Sequence, residues 1–344
     1  MSRGRGDRLL GAGWRGDLVA AAAGALLPLA FAPYHIFPVA VLSPALLFAS
    51  LLRLTPARGL WRGWLFGLGM FGVGVSWIFV SIHRFGAASV PLATLLTMLF
   101  VCVMALYPAL FGYLALRILN GPWCGAKTAP ALELLLALPA LWVLVEWWRG
   151  WFLSGFPWLN LGVSQLAAPL AGLAPVLGEY GVSWAVAFSS VLLLLMLQRW
   201  GRIRYWLALL VILWTGGWLA GGVEWTRPEG APLRVALLQG NVPQEIKWLP
   251  EQLVPNLELY SGLTASHWDS DLIVWPETAI TAFYHQLEDG FIRQLQRAAE
   301  EHRTDILAGL PVTDPESGRY YNAVMSVGSS RGFYRKHHLV PFGD

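Results

Sequence analysis

The strongest constraint in these 344 residues is a succession of apolar stretches, each close to the length that crosses a lipid bilayer. A helix needs about 20 mainly apolar residues to traverse roughly 30 Å of hydrocarbon. Seven such segments are read, at 17–34, 37–53, 61–82, 90–118, 129–149, 173–198 and 204–222. The first two are short and joined by Ala32-Pro33-Tyr34-His35, so a tight hairpin is an equal reading of that pair. Pro108 and Pro139 fall inside spans, where neighbouring helices can re-satisfy the backbone groups a proline frees. Trp61, Trp64, Trp77, Trp147, Trp148 and Trp151 fall near span ends, as interfacial belts require. With 56% hydrophobic and 13% charged residues, the chain is far poorer in charge than a soluble domain, where the share is about 25%. It reads as an integral membrane protein.

Charge then sets orientation. The formal net charge of +3 is small, and no basic run is interleaved with aromatics, so nucleic acid is not an expected partner. Arg3, Arg5, Arg8 and Arg15 precede the first span, and Arg53, Arg58 and Arg62 follow the second. Arg117 and Lys127 follow the fourth, and Arg199, Arg202 and Arg204 follow the sixth. The other side has only Arg84 and Arg149. Cytoplasmic loops carry the excess of Lys and Arg, so residues 1–16 are expected in the cytoplasm, and seven crossings place everything after about residue 223 outside. No small-residue cleavage site follows the first apolar stretch, which is read as a retained helix. Glu146 and Arg149, three apart near a span end, are expected to pair at the membrane interface.

The membrane domain of residues 17–222 ends where the composition shifts at Gly221-Gly222-Val223-Glu224, and residues 223–232, with Pro228 and Pro232, read as a linker. From 233 to 344 the pattern alternates strand and helix. Strands are expected at Leu233–Leu238, Leu272–Trp275 and Asp305–Leu310, helices at Glu251–His267 and Phe291–His302, and a hairpin from Tyr320–Val327 and Gly332–His337.

Two segments of this second domain carry chemistry. Leu272-Ile273-Val274-Trp275-Pro276-Glu277 ends a strand on a carboxylate. About sixty residues later comes Tyr334-Arg335-Lys336-His337-His338-Leu339-Val340-Pro341-Phe342-Gly343-Asp344. The pair resembles the carbon–nitrogen hydrolase (nitrilase) superfamily. Behind a polytopic membrane domain it resembles the apolipoprotein N-acyltransferase family. Further matching segments are Gln239-Gly240-Asn241-Val242-Pro243-Gln244 with Lys247-Trp248, the run from Gly150 to Trp158, and Tyr180-Gly181-Val182-Ser183-Trp184. The fold this implies is a polytopic α-helical membrane domain followed by an incomplete α/β nitrilase-like domain of the αββα sandwich type.

The resemblance also implies roles. Glu277 is expected as general base and Lys336 as stabiliser of the oxyanion, in a Glu-Lys-Cys triad that forms a thioester acyl-enzyme. The acyl donor is expected to be a phospholipid, and the acceptor the α-amino group of a diacylglyceryl-cysteine at an apolipoprotein's N-terminus. The setting is the bacterial inner membrane, with catalysis on the extracytoplasmic side and no cofactor. Trp248 matches a functionally important Trp of the family and is expected to line the substrate path. Asn322 matches a supporting position, and Asp344 stands where the family usually has a Glu. The 150–175 loop, rich in Trp151, Phe152, Phe156 and Trp158, is expected to form the lipid portal.

Each of these residues also has a plainer reading. Glu277 and Lys336 alone would be ordinary surface charges, Trp248 an interfacial anchor, and Asn322 a turn residue. His337 and His338 lack partners at zinc-site spacing, so no metal is expected. The two cysteines, Cys102 in a span and Cys124 in a cytoplasmic loop, lie on the wrong elements for the nucleophile and give no disulfide framework. The chain is therefore expected to be a fragment whose nucleophilic Cys lies elsewhere. A membrane-tethered amidase of the same superfamily, or an inactive remnant, is the alternative. A transporter expects ionisable groups at mid-membrane, which these spans nearly lack.

Overall fold

The computed structural model describes residues 13–52, 54–120, 131–198, 202–314 and 316–337. It divides into two compact units at Arg227/Pro228. Of the twelve cations counted for one side of the membrane, Arg3, Arg5, Arg8, Arg53, Lys127 and Arg199 lie outside the described residues.

The first unit is helical: α1 (Trp14–Leu26), α2 (Pro38–Leu51), α3 (Pro56–Gly74), α4 (Trp77–Val80), α5 (Val90–Met104), α6 (Leu106–Leu119), α7 (Ala131–Arg149), α8 (Ala174–Gln198) and α9 (Ile203–Ala220). Four stretches are long and apolar enough to cross a membrane: Val90–Leu119, Ala131–Arg149, Pro169–Gln198 and Ile203–Ala220. A fifth is made by Pro56–Gly74 with Trp77–Phe85, bent by 54°. The first two apolar segments are short helices: α1, extended by a 3-10 turn over Leu27–Ala30, and the 14-residue α2. The 90–118 segment divides at Ala105, because Pro108 in the first turn of α6 has no N–H to give the Met104 carbonyl.

Close backbone approach holds α3 against α6. A Cβ on Gly63 would lie 2.1 Å from the Pro108 carbonyl oxygen, one on Gly59 2.5 Å from that of Gly112, and one on Gly67 2.6 Å from Ala105 Cα. In lipid there is no hydrophobic drive between helices, so such small-residue packing carries the association. The start of α3 differs from the expected one. Thr55 caps it through Oγ1 and Pro56 sits at its first position, which brings Arg58 and Arg62 inside the helix rather than into a loop. Both reach Asp17 on α1, at 2.7 Å and 3.0 Å, and the wholly buried Arg62 also donates to the Ser50 carbonyl.

Glu146 and Arg149 are not the interfacial pair expected. Both are buried, and among the described residues they form no direct salt bridge. Each instead bonds to the segment that follows α7.

The second unit is a five-stranded mixed sheet in the order β1 (Val235–Leu237), β2 (Leu272–Val274), β3 (Asp305–Thr313), β4 (Tyr320–Val327) and β5 (Gly332–Arg335). The first three strands are parallel, and β4 and β5 return antiparallel. Between strands lie α10 (Gln244–Lys247), α11 (Leu253–Ala265), α12 (Tyr284–Leu287) and α13 (Arg293–His302). One sheet face, with Ile273, Ile306, Ala308, Leu310, Ala323 and Met325, is buried in a core with Tyr260 of α11 and Leu295 and Ala299 of α13. The other face exposes Val235, Leu237, Val324 and Tyr334. This is the α/β organisation expected.

Candidate catalytic site

Strand direction assembles the site. β5 runs antiparallel to β4, and β4 antiparallel to β3, so β5 points the same way as β2. Residues following the C-terminal ends of β2 and β5 therefore lie at the same end of the sheet, where open α/β sheets commonly bind ligands. Glu277 follows β2, Lys336 follows β5, and Asn322 lies near the start of β4 at that same end.

The turn bearing Glu277 is tightly constrained. Trp275 extends β2 by donating its N–H to the Leu307 carbonyl, and its ring is buried, stacked 5.2 Å from Tyr260 with Nε1 donating to Thr264 Oγ1. Pro276 then turns the chain, Thr278 adopts φ +50°, and Ile280 N–H donates to the Gly309 carbonyl. A Cβ on Gly309 would lie 2.5 Å from Thr278 N and 2.6 Å from the Pro276 carbonyl oxygen, so this close crossing requires glycine.

Three of the expected residues come together. Glu277 Oε1 accepts from Asn322 Nδ2 at 2.6 Å and from Lys336 Nζ at 3.2 Å. Lys336 is held in turn by its own N–H, which donates to the Asn322 carbonyl at 2.9 Å. The Glu277 side chain is 65% exposed and that of Lys336 30%, so the pair is open to a substrate. Both bonds fall on Oε1, and Oε2 makes none among the described residues. A carboxylate so arranged is fixed through one oxygen and keeps lone pairs on the other to take a proton.

A fourth group joins them. Lys247, at the end of α10, donates through Nζ to the Glu277 carbonyl oxygen at 3.2 Å. Burial lowers the pKa of this amine from its ordinary value, and the Glu277 charge partly opposes that. The sequence placed Lys247 in a matching segment but gave it no part in the site, because thirty residues separate it from Glu277.

Trp248 is exposed, and among the described residues it makes no ring contact or hydrogen bond with Glu277, Asn322 or Lys336. Asp344, His338 and Cys124 lie outside the described residues. Cys102 is in α5, in the helical unit. No group of three or more His, Cys, Asp or Glu side chains that could hold a metal occurs among the described residues.

Comparison with known proteins adds to this geometry. Residues 23–192 match the profile described as the apolipoprotein N-acyltransferase N-terminal domain, and residues 234–344 match the carbon-nitrogen hydrolase profile. The chain is 46% identical to an apolipoprotein N-acyltransferase of Methylococcus capsulatus over 329 residues, covering 95% of this chain and 64% of that protein. It is 44% identical to the Coxiella burnetii protein of the same name, covering 95% and 67%. With one from Pseudomonas aeruginosa PAO1 it is 44% identical, covering 96% and 65%. The chain thus spans about two thirds of the length of the curated relatives it matches.

Proposed function

The chain belongs to the apolipoprotein N-acyltransferase family, and on that premise we propose that it carries the membrane unit and the acid–amine half of an acyl-transfer site. The donor is a phospholipid, and the acceptor is the α-amino group of an N-terminal diacylglyceryl-cysteine. The observation that carries this reading is the convergence of Asn322 and Lys336 on one oxygen of Glu277.

Glu277 Oε2 takes the proton of a thiol, and the thiolate attacks the ester carbonyl of the phospholipid. The ammonium of Lys336 stabilises the tetrahedral oxyanion. Collapse expels the lysophospholipid alkoxide, which takes up the proton, and leaves a thioester. The acceptor amine then attacks the thioester, Glu277 removes the amine's proton, and the thiolate departs. Neither Cys102 nor Cys124 supplies that thiol. Trp248 lines the acyl path, Asp344 supports the site, and the loop after α7 forms the portal. The second unit works on the extracytoplasmic side of the inner membrane, where both lipid substrates are available.

The test uses the full-length protein in proteoliposomes, with phospholipid labelled in its acyl chains and a diacylglyceryl peptide as acceptor. Label should appear first on the enzyme as a hydroxylamine-sensitive thioester and then on the peptide amine. Release of the label as free fatty acid, without transfer, would move the protein to the amide-hydrolysing side of its superfamily.

A further inference from the structure

Charges inside a helix bundle are costly and persist where their hydrogen-bonding groups find partners. Glu146 and Arg149 are 4% and 3% exposed. Glu146 Oε1 accepts from Trp142 Nε1 at 2.8 Å, one turn back on α7, and from Leu161 N–H at 2.9 Å. Arg149 Nη2 donates to Asn160 Oδ1, and its guanidinium lies 5.2 Å from the centre of the Phe71 ring. Asn160 Nδ2 donates to Glu179 Oε1 at 2.6 Å, and Gly162 N–H to Ser183 Oγ at 2.8 Å. Residues 160–162 are thereby bonded to α7 on one side and α8 on the other. Two polar atoms remain over, Glu146 Oε2 and Arg149 Nη1, both buried and without a hydrogen bond among the described residues.

Glu146 and Arg149 line one cavity, beside Met70, Phe71 and Tyr107. Its volume of ≈ 20 Å³ decides what it can hold. A single water needs about 10–15 Å³ measured this way, and a bound water requires two to four polar partners. A phosphate or an acyl chain is several times too large. We propose that this cavity is a binding site for one water molecule, which accepts from Arg149 Nη1, donates to Glu146 Oε2, and completes a polar lock fastening the loop after α7 to the helices.

The lock has a consequence for the rest of the loop. Trp151, Leu153, Trp158 and Leu166 are exposed on either side of the anchored residues 160–162. Fixing those three residues fixes where the apolar side chains are presented to lipid. That last step rests on the portal role proposed above, whereas the water site and the lock stand without it.

The experiment is amide hydrogen exchange at Leu161 and Gly162 in the full-length protein in lipid nanodiscs, with a high-resolution structure of the same sample. Glu146→Leu removes the acceptor of the Leu161 N–H, and exchange there should accelerate roughly tenfold or more. Glu146→Gln keeps Oε1 as acceptor and offers an amide to the water, so exchange should stay within about threefold of wild type. Arg149→Met should accelerate exchange at both residues. The wild-type structure should show one water within hydrogen-bond reach of both Glu146 Oε2 and Arg149 Nη1. Unchanged exchange in Glu146→Leu, or exchange in Glu146→Gln as fast as in Glu146→Leu, overturns the lock. A direct Glu146–Arg149 contact without a water overturns the binding site. Should Glu146→Leu fail to fold, the glutamine variant and the wild-type density decide. None of these readouts depends on acyl transfer, so a failure of the proposed activity leaves them interpretable.

Discussion

At Glu277, orientation and basicity are divided between two oxygens of one carboxylate, with Oε1 taking Asn322 and Lys336. Glu277→Gln should therefore abolish thioester formation while leaving the side chain in place, a loss of about 10²–10⁴-fold as expected for a general base. Lys336→Ala should cost about 10²–10³-fold, the scale of a lost oxyanion donor. Asn322→Ala should cost only about tenfold, because one of two bonds to Oε1 survives. Single-turnover acylation rates separate the three, and a normal rate in any variant removes that residue from its assigned part. Lys247 gives a prediction in pH. Its folded pKa is lowered by burial, so the folded unit releases that proton below the ordinary lysine value of 10.5. Since the unfolded chain binds the extra proton in that window, stability should rise as pH climbs toward 10.5. Reductive methylation with labelled formaldehyde, followed by NMR titration, should place the Lys247 midpoint below 10.5. Glu277→Gln should lower it further by removing the opposing charge. An unchanged midpoint on that substitution would show that the two groups are not neighbours in solution.

At the scale of elements, two glycine contacts decide what the chain tolerates. Gly309→Ala would force a methyl group to within 2.5 Å of Thr278 N. The Glu277 turn must then move, at about 1–3 kcal/mol by the usual cost of overpacking. Thermal unfolding of the second unit should fall, and acylation should fall further than stability alone explains. Gly63→Leu should separate α3 from α6, since even a Cβ there lies 2.1 Å from the Pro108 carbonyl oxygen. A melting temperature unchanged from wild type would refute that packing. Which elements form was largely legible in the sequence, and their limits less so. β3 runs to Thr313 rather than ending at Leu310, although Pro311 would ordinarily stop a strand. The reason is that β2 pairs only with Asp305–Leu307, so beyond that point β3 is an edge strand, and Pro311 needs no N–H partner on its open side. The second helix of this unit begins in a 3-10 turn over Pro250–Gln252, and α13 in a π turn over Glu288–Ile292. Hydrophobic periodicity does not distinguish these from α-helix. The site was legible where a motif ended a strand, at Glu277 and Lys336. Lys247 and the Glu146–Arg149 network were not, because their partners lie eleven to thirty residues away and only packing brings them together.

At the scale of the whole chain, crossing parity decides where the second unit works. The seven apolar segments expected from the sequence differ from the four to five long helices of the structure mainly in the short pair α1 and α2. Whether that pair crosses twice or turns back as a hairpin, it adds an even number. The five remaining stretches, counting the bent Pro56–Phe85 as one, add an odd number, so Trp14 and Pro228 should lie on opposite sides. Charge fixes which side is which. Asp17 offsets one of the two charges of Arg58 and Arg62, and Arg15, Arg117, Arg202 and Arg204 lie at the same set of ends, against Arg84 and Arg149 at the other. The amino terminus is therefore expected in the cytoplasm, and the Glu277 site outside it. An alkaline phosphatase reporter, active only after export, should be active when fused at Gly230 and inactive when fused at Asn120. A green fluorescent protein, which folds only in the cytoplasm by the ordinary export route, should give the reverse. Phosphatase activity at Asn120 alone would mean that the bent pair does not cross, and would bring the acid–amine site to the cytoplasmic leaflet, whereas activity at both positions would mean that one of the three long stretches between them does not cross.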